Sequence, residues 1–212
     1  MREFVITDIH GQYEKSQQVV EKANFDLQND HLFCLGDLCD RGSDSKKVID
    51  LLMQIKNLDL CIGNHDSWLI EWMMFRHASE WWRSQGGDET IKSFKGVTDF
   101  TPYINFYSKA RPYFINNNRY FAHASIPDDI ENAEVREFMW DRYIAHGIIV
   151  DRIPDFHYTE IYLGHTVVGN HPLIKKNFYL MDTGAGFGGR VSMMNINSFE
   201  LFQSDGNLKN YN

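Results

Sequence analysis

Five short motifs in this chain place carboxylate, amide and imidazole groups directly after apolar runs. They read Asp8-x-His10-Gly11, Gly36-Asp37-x-x-Asp40-Arg41-Gly42 and Gly63-Asn64-His65-Asp66, followed by His123 and His165, each closing a short apolar run. Carboxylate oxygen and imidazole nitrogen suit borderline divalent ions such as Mn2+, Fe2+ and Zn2+, with no need for thiolate. Two such ions roughly 3.5–4 Å apart clamp the attacking and leaving oxygens of an in-line phosphoryl displacement, and they lower the pKa of bound water to about 7. Glycine beside most of these residues allows a sharp turn and a close backbone approach. The chemistry that fits is metal-assisted hydrolysis of a phosphoester.

The elements that position these groups are legible in the apolar patterning. The runs at 4–7, 32–35 and 58–62 predict strands, and 14–23 and 45–55 predict helices, so the first third alternates strand and helix as a parallel sheet does. In an open α/β sheet, ligands bind beyond the carboxyl ends of the strands. From 66 to about 110 the chain reads as helical and aromatic, broken at Gly86-Gly87. After Pro112 strands dominate: 113–115 and 119–122 flank a turn at Asn116-Asn117-Asn118, with further strands at 161–163, 178–181, 190–196 and 199–202. Strands at both ends of a helical middle imply two packed sheets flanked by helices, within a single domain over 1–212.

The 212 residues carry a formal net charge of -8, with 43% hydrophobic and 24% charged residues. This is a folded globule rather than a disordered chain. The acidic balance lacks the basic footprint of a nucleic-acid binder, and bound metal ions would supply the positive charge a phosphate needs. No run approaches the roughly 18 apolar residues of a membrane helix. Three cysteines, Cys34, Cys39 and Cys61, fit neither a disulfide framework nor a zinc knuckle and read as small core residues of a cytoplasmic protein.

DxHG, GDxxDRG, GNHD, a strand-borne His and a GHT, in this order, resemble the signature of the calcineurin-like phosphoprotein-phosphatase family. Met139-Trp140-Asp141-Arg142, Gly86-Gly87-Asp88 and the segment from Asp182 to Gly189 are similar to the compact bacterial and phage members. The resemblance implies an α/β fold, a four-layer α/β/β/α sandwich. It implies two divalent ions, Mn2+ by preference, with Asp8 and His10 on the first, Asp37 bridging, and Asn64, His123 and His165 on the second. His65 would be the general acid, oriented by Asp40, while Arg41 and Arg142 grip the phosphate. The implied reaction is direct attack of a metal-held hydroxide on a phosphoserine or phosphothreonine protein or peptide. Asp66 stands where protein phosphatases carry Glu and is similar instead to the symmetrical diadenosine tetraphosphatases, the alternative function. His123-Ala124-Ser125 departs from the family in lacking Gly at its third place.

Other candidates have ordinary structural readings. His31, His77, His146, His157 and His171 lack motif context. The aromatic stripe from Trp68 to Phe75 reads as packing against the sheet, and 184–189 as a turn between strands. Trp81 and Trp82 form an aromatic pair that could receive a peptide or a base.

Overall fold

The computed structural model describes residues 1–208. Two five-stranded mixed sheets lie back to back. In the first, β1 (Glu3–Ile6), β2 (His31–Cys34) and β3 (Asn57–Leu60) run parallel in register, and β9 (Ser192–Asn195) and β10 (Leu201–Gln203) extend it antiparallel in the order β10-β9-β1-β2-β3. The second has the order β4-β5-β6-β8-β7, built from β4 (Tyr113–Asn116), β5 (Arg119–Ala122), β6 (Glu160–Leu163), β7 (Leu173–Lys175) and β8 (Phe178–Leu180).

Alternation along each strand builds the layers, because successive side chains leave opposite faces. Val5, Phe33, Phe121 and Tyr162 point between the sheets and form the inner core with Met181 and Met194. Phe33 stacks on Phe121 at 4.0 Å, and Phe121 on Tyr162 at 5.1 Å. Their neighbours Phe4, Ile6, Leu32 and Cys34 face outward under a helical layer. That layer holds α1 (Tyr13–Lys22), α2 (Ser45–Leu52), α3 (Asn64–Phe75), α4 (Glu80–Trp82), α5 (Asp88–Ser93) and α6 (Thr101–Tyr107). Val48, Ile49 and Leu52 give α2 the i, i+1, i+4 stripe that seats it. On the far side, Tyr120, Ala122, Ile161 and Leu163 pack against Ile144, Ala145 and Ile148 of α8 (Tyr143–Ile149), which follows α7 (Val135–Trp140). The result is the α/β/β/α layering the resemblance implied.

The β4–β5 turn matches expectation, with Asn117 at φ 50° and Asn118 at φ 61°, the left-handed pair of a type I′ hairpin. Two features differ from the sequence reading. The segment after Pro112 contains α7 and α8, where strands were expected to dominate, and β7 is an additional strand. Both helices are under two full turns. Such short helices draw their stability from packing on a sheet rather than from propensity. Cys34, Cys39 and Cys61 are free and buried. Among the described residues no helix is long and apolar enough to cross a membrane.

Candidate metal centre

The motifs lie where β1, β2, β3, β5 and β6 end, and backbone hydrogen bonds tie their loops together. Asp8 N donates to Gly36 O (3.0 Å), His10 N to Asp37 O (2.9 Å), and Gly164 N to His123 O (2.7 Å). Asp8, His10, Asp37, Asp40, Arg41 and His165 all sit in the left-handed region, with φ from 50° to 74°. Non-glycine residues rarely adopt it, and such strain clusters at functional sites. Gly164 lies so close to the Thr7 hydroxyl and the Asp8 carboxylate that an added Cβ would overlap both.

Six donor groups converge. His10 Nε2 is 3.8 Å from Asp8 Oδ1 and 3.6 Å from Asp37 Oδ2. His123 Nε2 is 3.5 Å from Asp37 Oδ2, 3.1 Å from Asn64 Oδ1 and 3.2 Å from His165 Nδ1. Donors held about 2.1 Å from one ion in a tetrahedral shell lie roughly 3.4 Å apart, so these spacings suit coordination. Asp37 belongs to both groupings: with His10 and His65 on one side, and with His123 and His165 on the other. The tautomers follow from the partners. His10 Nδ1 donates to Cys39 O (2.9 Å) and His123 Nδ1 to Leu35 O (2.8 Å), which leaves each Nε2 lone pair facing inward.

The electrostatics fit divalent ions. Burial, opposed by the His65 charge and reinforced by that of Asp8, holds the Asp37 carboxyl well above the usual carboxylate range. Burial and then Asp8 do the same to Asp182, which lies just beyond β8 and lines the same cavity. Burial, then the Arg41 charge, pushes His10 well below its ordinary value. Burial, then His123 and Arg142, takes His165 to about 2, so its imidazole is neutral and able to ligate. A cluster of buried carboxylates beside neutral imidazoles is costly alone and is relieved by bound cations. Asp182 entered the sequence reading only as the start of a family-like segment and not as a site residue, although it too follows a strand, β8, as the expected ligands follow theirs.

Beside the cluster, His65 Nδ1 donates to Asp40 Oδ2 at 2.6 Å, which turns His65 Nε2 toward the cavity. The same Asp40 oxygen accepts from Trp82 Nε1 at 2.8 Å, and Oδ1 accepts from Thr90 Oγ1 at 2.6 Å. Trp82 is therefore a buried support, unlike Trp81, which is 62% exposed and lines the cavity. Trp82 closes α4, which runs into a single π-turn (Arg83–Gly87). There Gly86, at φ 106°, packs against the Arg41 backbone. Arg41 lays its guanidinium 4.4 Å over the Phe187 ring and reaches His65 Nε2 at 3.0 Å. Arg142 is exposed on the cavity wall.

Asp66, which marks the similarity to the tetraphosphatases in the sequence, has a structural part in the fold. It is fully buried and accepts from Asp37 N (2.7 Å), Leu38 N (3.0 Å), Gly63 N (3.1 Å) and Tyr107 Oη (2.9 Å). It braces the turn that presents Asp37 and does not line the cavity. The stripe on α3 is also divided: Leu69 and Met73 enter the core, whereas Trp68 faces the cavity and Phe75 is 68% exposed. The cavity, of about 400 Å³, is rimmed by Trp68, Trp81, Trp140 and Phe187.

The calcineurin-like phosphoesterase family model matches residues 1–179. The chain belongs to that family. Over 71 residues, a third of the chain, it is 42% identical to a symmetrical bis(5'-nucleosyl)-tetraphosphatase of Buchnera aphidicola, and 41% identical to the enzyme of that name from Cellvibrio japonicus. The matched stretch spans about a quarter (26%) of each of those relatives. Among solved structures, a candidate diadenosine tetraphosphatase aligns with TM-score 0.74 and 18% identity over 97% of this chain and 93% of its own. A Saccharomyces cerevisiae protein serine/threonine phosphatase aligns with TM-score 0.61 and 14% identity over 100% and 81%. At such identities the structural matches establish the fold. The expected phosphoprotein or phosphopeptide partner is corrected by the sequence relatives, which are named for dinucleotide substrates. The DRG and Trp-x-Arg elements behind that expectation place Arg41, Trp140 and Arg142 along the cavity, and this lining does not by itself distinguish one phosphoester class from another.

Proposed function

We propose that this phosphoesterase cleaves dinucleoside polyphosphates symmetrically, diadenosine tetraphosphate above all. The aromatic rim carries this reading. Trp81, Trp140 and Phe187, 62%, 39% and 60% exposed, surround a floor of metal-ligating groups and arginines. Exposed indole and phenyl faces stack on purine bases, each worth roughly 1–3 kcal/mol by analogy with single-stranded nucleic-acid binders, while guanidinium forks match phosphate oxygens. The 71-residue similarity to symmetrical tetraphosphatases points the same way.

Asp8, His10, Asp37, Asn64, His123 and His165 would hold two divalent ions, Mn2+ as the activating pair. When bound, these would polarise the phosphoryl group and acidify water. Arg41 and Arg142 hold the polyphosphate oxygens. His65, with Nδ1 committed to Asp40, would act through Nε2 as the general acid toward the leaving phosphate oxygen once substrate draws Arg41 onto its phosphates. Initial rates on diadenosine tetraphosphate and on a phosphothreonine peptide, with Mn2+ and with chelator, test the proposal. The expected result is kcat/KM at least tenfold higher for the dinucleotide, with ADP as sole product; a faster peptide reaction would overturn it.

A further inference from the structure

A second cavity opens beside the first. It has a volume of about 870 Å³ and lies among α7, α8 and the segments at 126–128 and 150–156. His146 lines both cavities, so they share a wall on α8. The first, at about 400 Å³, is near the lower end of small-molecule sites, roughly 300–1,000 Å³. A symmetrical dinucleotide has a second nucleoside that must lie elsewhere when its phosphate chain crosses the metal centre.

We infer that the second cavity is the subsite for this distal nucleoside, an inference that rests on the proposed dinucleotide reading. Its walls have the right chemistry. Ile126, Pro127, Ile144, Val150, Ile153 and Phe156 supply apolar surface for a base. Tyr143 also lines it and is 83% exposed, which leaves an aromatic face free for stacking. The charged lining is mainly acidic. Asp151 is paired with Lys175 at 2.6 Å, which leaves Asp128, Glu137 and Asp141 against Arg152. Three carboxylates repel phosphate, and although Glu137 accepts from Glu134 N (2.8 Å) and Asp141 from Ser125 Oγ (2.9 Å) and Tyr143 N (2.8 Å), the remaining carboxylate lone pairs can accept from ribose hydroxyls and an exocyclic amine. The cavity thus selects the uncharged end of the substrate, and the arginine-lined cavity beside it selects the charged middle. His146 separates the two.

Val150 is 61% exposed at the end of α8, so a larger side chain there fills the cavity without disturbing the core. In Val150→Trp, KM for diadenosine tetraphosphate should rise at least tenfold, while KM for adenosine 5'-tetraphosphate, which has one nucleoside, should change less than twofold. Equal changes for the two substrates, or none, would overturn the subsite. Adenosine titrated calorimetrically into both proteins is the second measurement. Binding that the substitution abolishes supports the subsite, and binding that is absent or unaltered refutes it. Wild-type enzyme that ignores dinucleotides would instead refute the proposed function, and the adenosine titration would still decide the cavity's role.

Discussion

Trp82→Phe isolates the support behind the proposed general acid. Trp82 is 1% exposed and absent from the cavity lining, so its indole N–H acts on substrate only through Asp40. The bond it donates, 2.8 Å long, ends on the oxygen that also receives His65 Nδ1–H at 2.6 Å. Hydrogen bonds to charged groups contribute about 1.5–3 kcal/mol. If roughly 1.4 kcal/mol of that is felt in the transition state, kcat falls about tenfold. KM and metal content should stay near wild type, because no ligand or cavity group is altered. Thr90→Val removes the donor to the other Asp40 oxygen, at 2.6 Å, and should lower kcat similarly. Since both donors hold one carboxylate, the double variant should be non-additive. Steady-state kinetics with metal analysis and a thermal melt decide the matter. A Trp82→Phe enzyme with lowered melting temperature but unchanged kcat would reduce Trp82 to packing, and a rise in KM at constant kcat would make it a binding residue.

Two further predictions separate ligands from the rest of the site. His65→Asn should keep its metal and lose roughly 10²–10⁴ in kcat, the usual worth of a positioned acid, whereas Asp37→Asn should lose metal as well; elemental analysis of both would refute the division of roles if the pattern reversed. Gly164→Ala forces a methyl group into the Asp8 carboxylate and should weaken metal binding about 10–100-fold, read by chelator competition, with unaltered affinity refuting the packing argument.

The strands that carry the motifs were legible because most are buried apolar runs, and those at β2, β3 and β6 are followed closely by Gly36, Gly63 and Gly164, so apolar runs and punctuation largely coincide. The six proposed ligands were legible for the same reason: they are the polar residues at which those runs stop. α7 and α8 were not read, although Glu134 and Glu137 pair across the start of α7, with Glu134 N donating to Glu137 Oε1 at 2.8 Å, and Ile144 and Ile148 form an i, i+4 stripe. Each signal is a single turn long and gains meaning only against a sheet. Trp82 and Thr90 were beyond reach in principle. They meet Asp40 across sequence separations of 42 and 50 residues, and one buried indole looks like another until its N–H has a partner. Asp66 was visible as a mark of similarity to the symmetrical tetraphosphatases, which the sequence relatives support, but its structural part was not legible, because its partners are backbone N–H groups and a tyrosine hydroxyl brought in by the fold.

The left-handed backbone at Asp8, His10, Asp37 and His165 constrains what could ever replace them. Aspartate, asparagine and histidine are the side-chain-bearing residues that enter this region most readily, and here the same residues that turn the chain are the proposed ligands. The vocabulary of turning and the vocabulary of hard and borderline metal ligation therefore coincide at this centre. Retuning it toward softer metals by installing cysteine or methionine would set coordination preference against loop geometry at every one of those positions. A thiolate-rich centre on this scaffold would first need new loops.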